Sequence, residues 1–160
     1  MMITREIKKS DNPVIAGIIR TVMNEFEADP KTTILGDPTL DMLFNNYQTA
    51  GSIYFILEEN NIISGGCGIK HLDHSEENIC ELQRMFLLPF SRGKGYGKML
   101  IDLCIQKAKE FNYEFIYLET LSQMTIAIHA YEKAGFKKIK TPLGNTGHSG
   151  CNVYMMLKLD

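Results

Sequence analysis

Apolar residues recur along this chain with two different periods. Ile3–Ile7 alternates apolar and polar positions and predicts a short edge strand. Ser10, Asp11 and Asn12 then offer N-cap groups ahead of Pro13. Val14, Ile15, Ile18, Ile19, Val22, Met23 and Phe26 follow at helical spacing, in a helix expected to stop at Glu27 or Ala28, before Pro30. Asp37-Pro38 restarts a helical pattern through Leu40, Leu43, Phe44 and Tyr47. Strands are predicted next over Ser52–Glu58, over Ile62–Leu72 after the turn Glu59-Asn60-Asn61, and over Ile79–Leu88 after a polar loop from Asp73 to Asn78. Gly65, Gly66 and Gly68 inside the second of these imply a bulge or a close backbone approach. Connections this short fit an antiparallel meander.

The rhythm then changes. Gly97–Asn112 reads as a helix with Met99, Leu100, Leu103, Cys104, Ala108 and Phe111 on one side. A strand at Phe115–Glu119, a helix at Thr125–Lys133 stopped by Gly135, and a strand at Phe136–Lys140 follow. Residues 141–150 read as a loop over one end of the sheet, and Val153–Leu159 closes the chain as a strand. The pattern predicts an α/β fold: one mixed, mostly antiparallel sheet with helices on both faces. A chain of 160 residues without repeats or linkers is expected to form a single domain, 1–160.

Composition narrows the function. The formal charge of −2 argues against broad attraction to nucleic acid while leaving room for a local basic site. No run approaches the roughly 18 apolar residues of a membrane span, and the opening MMITREIKKSDN lacks the apolar core of a signal peptide. Cys67, Cys80, Cys104 and Cys151 form no CxxC pair and sit in apolar stretches, as reduced buried thiols of a cytoplasmic protein do. The histidines stand at no recognised ligand spacing, so no metal is expected. Exposed strand edges would leave a homodimer open.

The strongest local signal is Arg92-Gly93-Lys94-Gly95-Tyr96-Gly97, between a predicted strand and a predicted helix. The glycines let the backbone approach a ligand closely, and the helix N-terminus aims open N–H groups at the same space. Arg92 and Lys94 add mobile positive charge. This reads as a phosphate or pyrophosphate site, with a plain glycine turn bearing two solvated cations as the other possibility. The P-loop pattern GxxxxGK[ST] is absent. The spacing G-x-G-x-G, past an antiparallel meander, departs from the dinucleotide fingerprint.

In its second half the sequence resembles the GCN5-related N-acetyltransferase superfamily, which uses acetyl-coenzyme A. Arg92, Gly95 and Gly97, within ELQRMFLLPFSRGKGYGKMLID, match the family loop Arg/Gln-x-x-Gly-x-Gly/Ala. Ala127-x-x-x-Tyr131-Glu132-Lys133-Ala134-Gly135-Phe136 matches a second family pattern. The resemblance implies a splayed sheet with the pantetheine arm between Glu81–Leu88 and Phe115–Glu119. It implies backbone contacts from Met85, Phe86 and Leu87, and pyrophosphate contacts from Arg92, Gly93, Lys94, Gly95, Tyr96 and Gly97, with Ser91 at the edge. It further implies direct attack of an amine on acetyl-CoA, with Tyr131 as acid for the departing thiolate. Glu81 is a candidate base, Glu119 an alternate, and a water-relayed path a third option. One departure stands out: Met124 occupies the position where many members carry Asn, with Thr120, Ser122, Gln123 and Thr125 close enough to supply a polar contact instead.

Strict alternation along Ile79–Leu88 would put Glu81, Gln83 and Met85 on one face and Leu82, Arg84 and Phe86 on the other. The acceptor side is expected from the first two helices, from the strand end near His71 and His74, and from the loop Pro142–Cys151 with His148. Tyr47, Glu25 and Glu27 are candidates to face a cationic amine. The expected activity is N-acetylation of a primary amine of a small molecule or peptide. A catalytically silent acyl-CoA-binding module and a non-enzymatic interaction domain are the competing classes.

Overall fold

The computed structural model describes residues 1–160. The strands are β1 (Met2–Glu6), β2 (Ile53–Glu59), β3 (Ile62–His71), β4 (Ile79–Leu87), β5 (Phe115–Thr120), β6 (Lys137–Ile139) and β7 (Val153–Lys158). The helices are α1 (Asn12–Glu25), α2 (Leu43–Asn46), α3 (Tyr96–Glu110) and α4 (Thr125–Lys133). All strands join one sheet in the order β1-β2-β3-β4-β5-β7-β6, and only β4 with β5 is parallel. The mixed, mostly antiparallel sheet matches the expectation from the sequence.

Both faces of the sheet are covered, which is why β2 reads as a nearly unbroken apolar run. Ile53, Phe55 and Leu57 pack with α3 and α4 residues Leu100, Ile101, Cys104, Ala108 and Ile128. Tyr54 and Ile56 point the other way, into a second core with Ile15, Ile19, Val22 and Leu43 from α1 and α2.

The start of α1 is held differently from the expected capping. Asp11 takes the N-cap position but makes no side-chain cap bond. Its carboxylate instead accepts from Arg5 at 2.8 and 3.0 Å and from the Lys8 N–H at 2.6 Å. Asn12 Oδ1 accepts the N–H of Phe44 at 2.8 Å, tying α1 to α2. The helix expected from Asp37 shrinks to a 3-10 turn at Leu40–Met42 and the single turn α2. Asp37 Oδ1 accepts both the N–H and the hydroxyl of Thr39, at 2.8 and 2.7 Å, so the backbone there closes on a side chain.

One irregularity decides how the sheet meets the site. Between the pairs Gly68↔Gln83 and Gly66↔Phe86, β3 advances by two residues and β4 by three. The extra residue makes a bulge, at which Arg84 adopts φ 51°. The bulge reverses the alternation of β4 beyond Gln83 and corrects the face assignment expected from strict period two. Cys80, Leu82, Met85 and Leu87 meet the α3 side, whereas Phe86 joins the α1 core. The glycines of β3 make room for what holds the bulge. A Cβ on Gly66 would stand 2.6 Å from the Tyr54 ring, and one on Gly68 equally close to the same ring. The Tyr54 hydroxyl passes beneath and donates to the Arg84 carbonyl at 2.8 Å.

Candidate active site

β4 and β5 pair only from Ile79↔Phe115 to Glu81↔Tyr117. Past that point β4 stays with β3, and β5 stays with β7. The two strands therefore splay, and β4 from Leu82 to Leu87 has no strand neighbour on its β5 side. Such an edge offers N–H and C=O groups to an extended ligand. A cleft of about 660 Å³ opens there, floored by Met85–Leu87 and walled by the glycine loop, the start of α3 and α4. Its size is that of a cofactor or small-molecule site.

The glycine loop enters α3 through left-handed backbone, with Gly93 at φ 72° and Gly95 at φ 82°. Gly95 is the N-cap, and Met99 is the first residue whose N–H bonds back into the turn, to the Gly95 carbonyl at 3.1 Å. The amides from Gly93 to Lys98 are thus left open toward the cleft mouth, a donor set that fits a diphosphate. The loop's cations are not mobile, as the sequence alone suggested. Arg92 grips Glu25 of α1 through both terminal nitrogens, at 2.6 and 2.8 Å, and its Nε donates to the Leu87 carbonyl at 2.9 Å. Lys94 pairs with Glu59 at the end of β2, 2.5 Å away, and the buried Ser91 hydroxyl donates to the same carboxylate. Both carboxylates come from segments far away in the chain, so no local pattern announces them.

Through the mouth of the V lies a smaller pocket of about 70 Å³. Met85, Phe86 and Met124 line both cavities, so the two adjoin at the splay point. Glu81 sits at the vertex and is only 5 % exposed. Burial, reinforced by the charge of Glu119, pushes its carboxyl up to about 7, against the hydrogen bond it accepts from Gln83 Nε2 at 2.8 Å. Glu119 also lines the pocket, and burial raises its carboxyl. Thr146 Oγ1 lies 2.7 and 3.0 Å from its two oxygens and straps the 141–150 loop over the sheet. Tyr131, on α4, is 5 % exposed and packs edge-on against Phe136 with centroids 5.9 Å apart. Burial raises its hydroxyl far above the ordinary phenol value, so it stays protonated.

Arg84, Gln83 and Asp37 are the residues that sequence reasoning left without a role. The guanidinium donates to Gln83 Oε1 at 2.7 Å, to the Tyr47 hydroxyl at 3.2 Å and to Asp37 Oδ2 at 3.0 Å. Tyr47, a candidate to face a cationic amine, is instead buried beneath this network and lines neither cavity, and its hydroxyl donates to Gln83 at 2.8 Å. The glycine-rich β3 was the one available signal, because it marks where two tyrosine rings must pass. His148 and Cys151 reach the pocket from the last loop, and burial, with the charge of Arg84, lowers the His148 pKa. His71 does not reach it: its ring stacks on Tyr113 at 6.2 Å. His74 and Glu27 are exposed and line neither cavity, and Glu25 faces Arg92. Of the polar residues near Met124, Thr125 lines the larger cleft and Thr120 the smaller pocket. Ser122 is bonded to Asn152, and Gln123 to the Phe26 carbonyl.

A splayed, mostly antiparallel sheet beside an open-amide glycine loop defines the acyl-CoA N-acyltransferase architecture. Comparison with known proteins agrees on family and fold. The sequence profile of the acetyltransferase (GNAT) family matches residues 19–136, and the chain belongs to that family. The chain is 41 % identical to the uncharacterized N-acetyltransferase YjgM of Escherichia coli over 159 residues, 98 % of this chain and 95 % of that one. A crystal structure of a GNAT acetyltransferase from Staphylococcus aureus Mu50 superposes with a TM-score of 0.89 at 26 % identity, over the whole of both chains. The yncA structure from Salmonella typhimurium, solved with its cofactor acetyl-CoA, shares the fold with a TM-score of 0.77 at 20 % identity, over 99 % of this chain and 94 % of that one. No helix is long and apolar enough to cross a membrane.

Proposed function

We propose that residues 1–160 act as one catalytic domain that transfers an acetyl group from acetyl-CoA to a primary amine of a small molecule or peptide by direct attack. The observation that carries this is the placement of Glu81. It stands at the vertex of the V, 5 % exposed, and lines the smaller pocket, which adjoins the diphosphate-type cleft at Met85, Phe86 and Met124. A carboxyl pushed up to about 7 can take a proton from an ammonium group near neutral pH, as a base buried near its working pH does.

In this reading the open amides from Gly93 to Lys98, with Arg92 and Lys94, hold the diphosphate of the cosubstrate. The free edge at Met85, Phe86 and Leu87 pairs with its extended arm, and an N–H near Leu87 polarises the thioester carbonyl. Glu81 accepts the amine proton. The nitrogen lone pair forms the new N–C bond, the C–S bond breaks, the departing sulfur takes a proton from Tyr131, and the surplus proton of the acetylated nitrogen restores the Tyr131 hydroxyl. Glu119, whose oxygens face Thr146, acts chiefly by holding the loop that closes the pocket.

A thiol-release assay against a panel of amines tests the reading, with Tyr131→Phe and Glu81→Gln as controls. Release that depends on both acceptor and acetyl-CoA is expected. Acetyl-CoA that raises the melting temperature but yields no thiol with any amine would mark a silent acyl-CoA-binding module. No shift at all would leave only an interaction domain.

A further inference from the structure

The smaller pocket carries unspent hydrogen-bonding capacity of both signs. A guanidinium has five N–H donors. Those of Arg84 reach Tyr47 and Gln83 through one terminal nitrogen and Asp37 through the other, and its Nε is buried with no partner. The Nε–H and one terminal N–H are therefore left over, on a side chain only 9 % exposed. A buried donor without a partner is costly, and an anionic oxygen is its best remedy. On the acid side, Glu81 uses one oxygen for Gln83 and keeps the other, whereas Glu119 is held by the Thr146 and Tyr117 hydroxyls.

Gln83 fixes the distance between the two sets. Its amide donates to Glu81 at 2.8 Å and accepts from Arg84 at 2.7 Å, so base and guanidinium stand one amide apart. An α-amino acid separates its nitrogen and its carboxylate by one carbon, and with its own two hydrogen bonds it spans a similar gap. A long diamine or a bare alkylamine would leave the Arg84 donors unmet. The φ of 51° at Arg84 adds weight, because strained backbone of this kind persists where the surroundings fix one side chain in place.

We propose that the acceptor is a free α-amino acid, its amine facing Glu81 and its carboxylate docked on Arg84. The proposal rests on the reading of this pocket as the acceptor site. Met23, Ile34 and Leu121 line the rest of the pocket and favour an apolar amino-acid side chain, and a volume of about 70 Å³ favours a short one.

The test is a matched series: L-alanine, L-valine and L-leucine, each beside its carboxamide and its decarboxylated amine. Binding to the CoA-saturated protein is measured by calorimetry, and turnover by thiol release. The carboxamide has the more easily deprotonated amine, so intrinsic reactivity works against the proposed preference. At least one amino acid is expected to bind ten-fold or more tightly than both of its counterparts and to show the higher kcat/KM. Arg84→Gln is expected to erase that preference while the coenzyme-induced melting shift persists. Should that variant fail to fold, the wild-type series decides alone. Equal or reversed preference, or no binding by any amino acid, overturns the proposal. Preferential amino-acid binding without thiol release from any acceptor would instead sink the acetyl-transfer reading and leave the zwitterion site standing.

Discussion

Glu81 shows how one residue's surroundings translate into measurable behaviour. Its carboxyl, lifted by burial to about 7, must be ionised to act as base, so kcat/KM should rise with pH through an apparent pKa near 7. In Glu81→Gln that ascending limb should vanish and kcat/KM should fall by about 10²-fold. The same shift has a stability signature of defined sign. Between the ordinary carboxyl value of 4.5 and about 7 the folded protein holds a proton that the unfolded chain releases, so this group makes stability fall as pH rises through that window. Glu81→Gln should therefore melt higher than wild type at pH 8, with the gap closing toward pH 4.5, as followed by thermal denaturation. Tyr131→Phe removes a protonated hydroxyl from the same pocket. It should lower kcat by about 10²-fold and leave the coenzyme-induced melting shift intact. Equal loss of coenzyme binding would assign Tyr131 to packing against Phe136 instead.

At the scale of the element, two kinds of glycine should respond differently to alanine. Gly95 sits at φ 82° with nothing within 4 Å of where a Cβ would stand, so its penalty is conformational, about 1–2 kcal/mol. Gly66 faces a clash with the Phe55 carbonyl at 2.5 Å as well as the Tyr54 ring, and overpacking of this kind costs about 1–3 kcal/mol or more. Chemical denaturation should rank Gly66→Ala as the more damaging. It should also lower turnover in whatever fraction folds, because Tyr54 holds the bulge that sets the face of Phe86. Gly95→Ala should mainly weaken acetyl-CoA binding. The glycine loop and the helix it opens were legible because turn and helix chemistry are local. The bulge was legible only in part: the β3 glycines implied a bulge or a close approach, but alternation along β4 carries no mark of the extra residue. Only the register against β3 reveals it.

Across the whole molecule, charge is arranged by tertiary neighbours. The end of α1 delivers Glu25 to Arg92, and the end of β2 delivers Glu59 to Lys94. A diphosphate must share these cations with carboxylates already in place. Glu25→Gln should therefore tighten CoA binding by about two- to five-fold at low salt, with the gain shrinking as salt is raised. Calorimetry at two ionic strengths checks this, and unchanged affinity would show that Arg92 leaves Glu25 without penalty. The two cores explain why the order of elements was readable. Each helix buries a stripe whose spacing is visible in the chain, and each sheet face needs such a cover.

The sequence by itself determined what short-range chemistry can determine: the order of strands and helices, the open-amide loop, and the tyrosine of α4. Those features depend on residues a few positions apart. The resemblance implied that the two strands splay, but the tertiary structure alone decided that their pairing ends at Glu81, that the chain kinks at Arg84, and that Asp37, Tyr47 and Gln83 gather around that guanidinium. Those facts depend on which strands stop pairing and on contacts between residues 36 or 47 positions apart. Such contacts follow from the packing of the whole chain rather than from any local pattern, and they set the buried, low-dielectric surroundings that push the Glu81 carboxyl up to about 7.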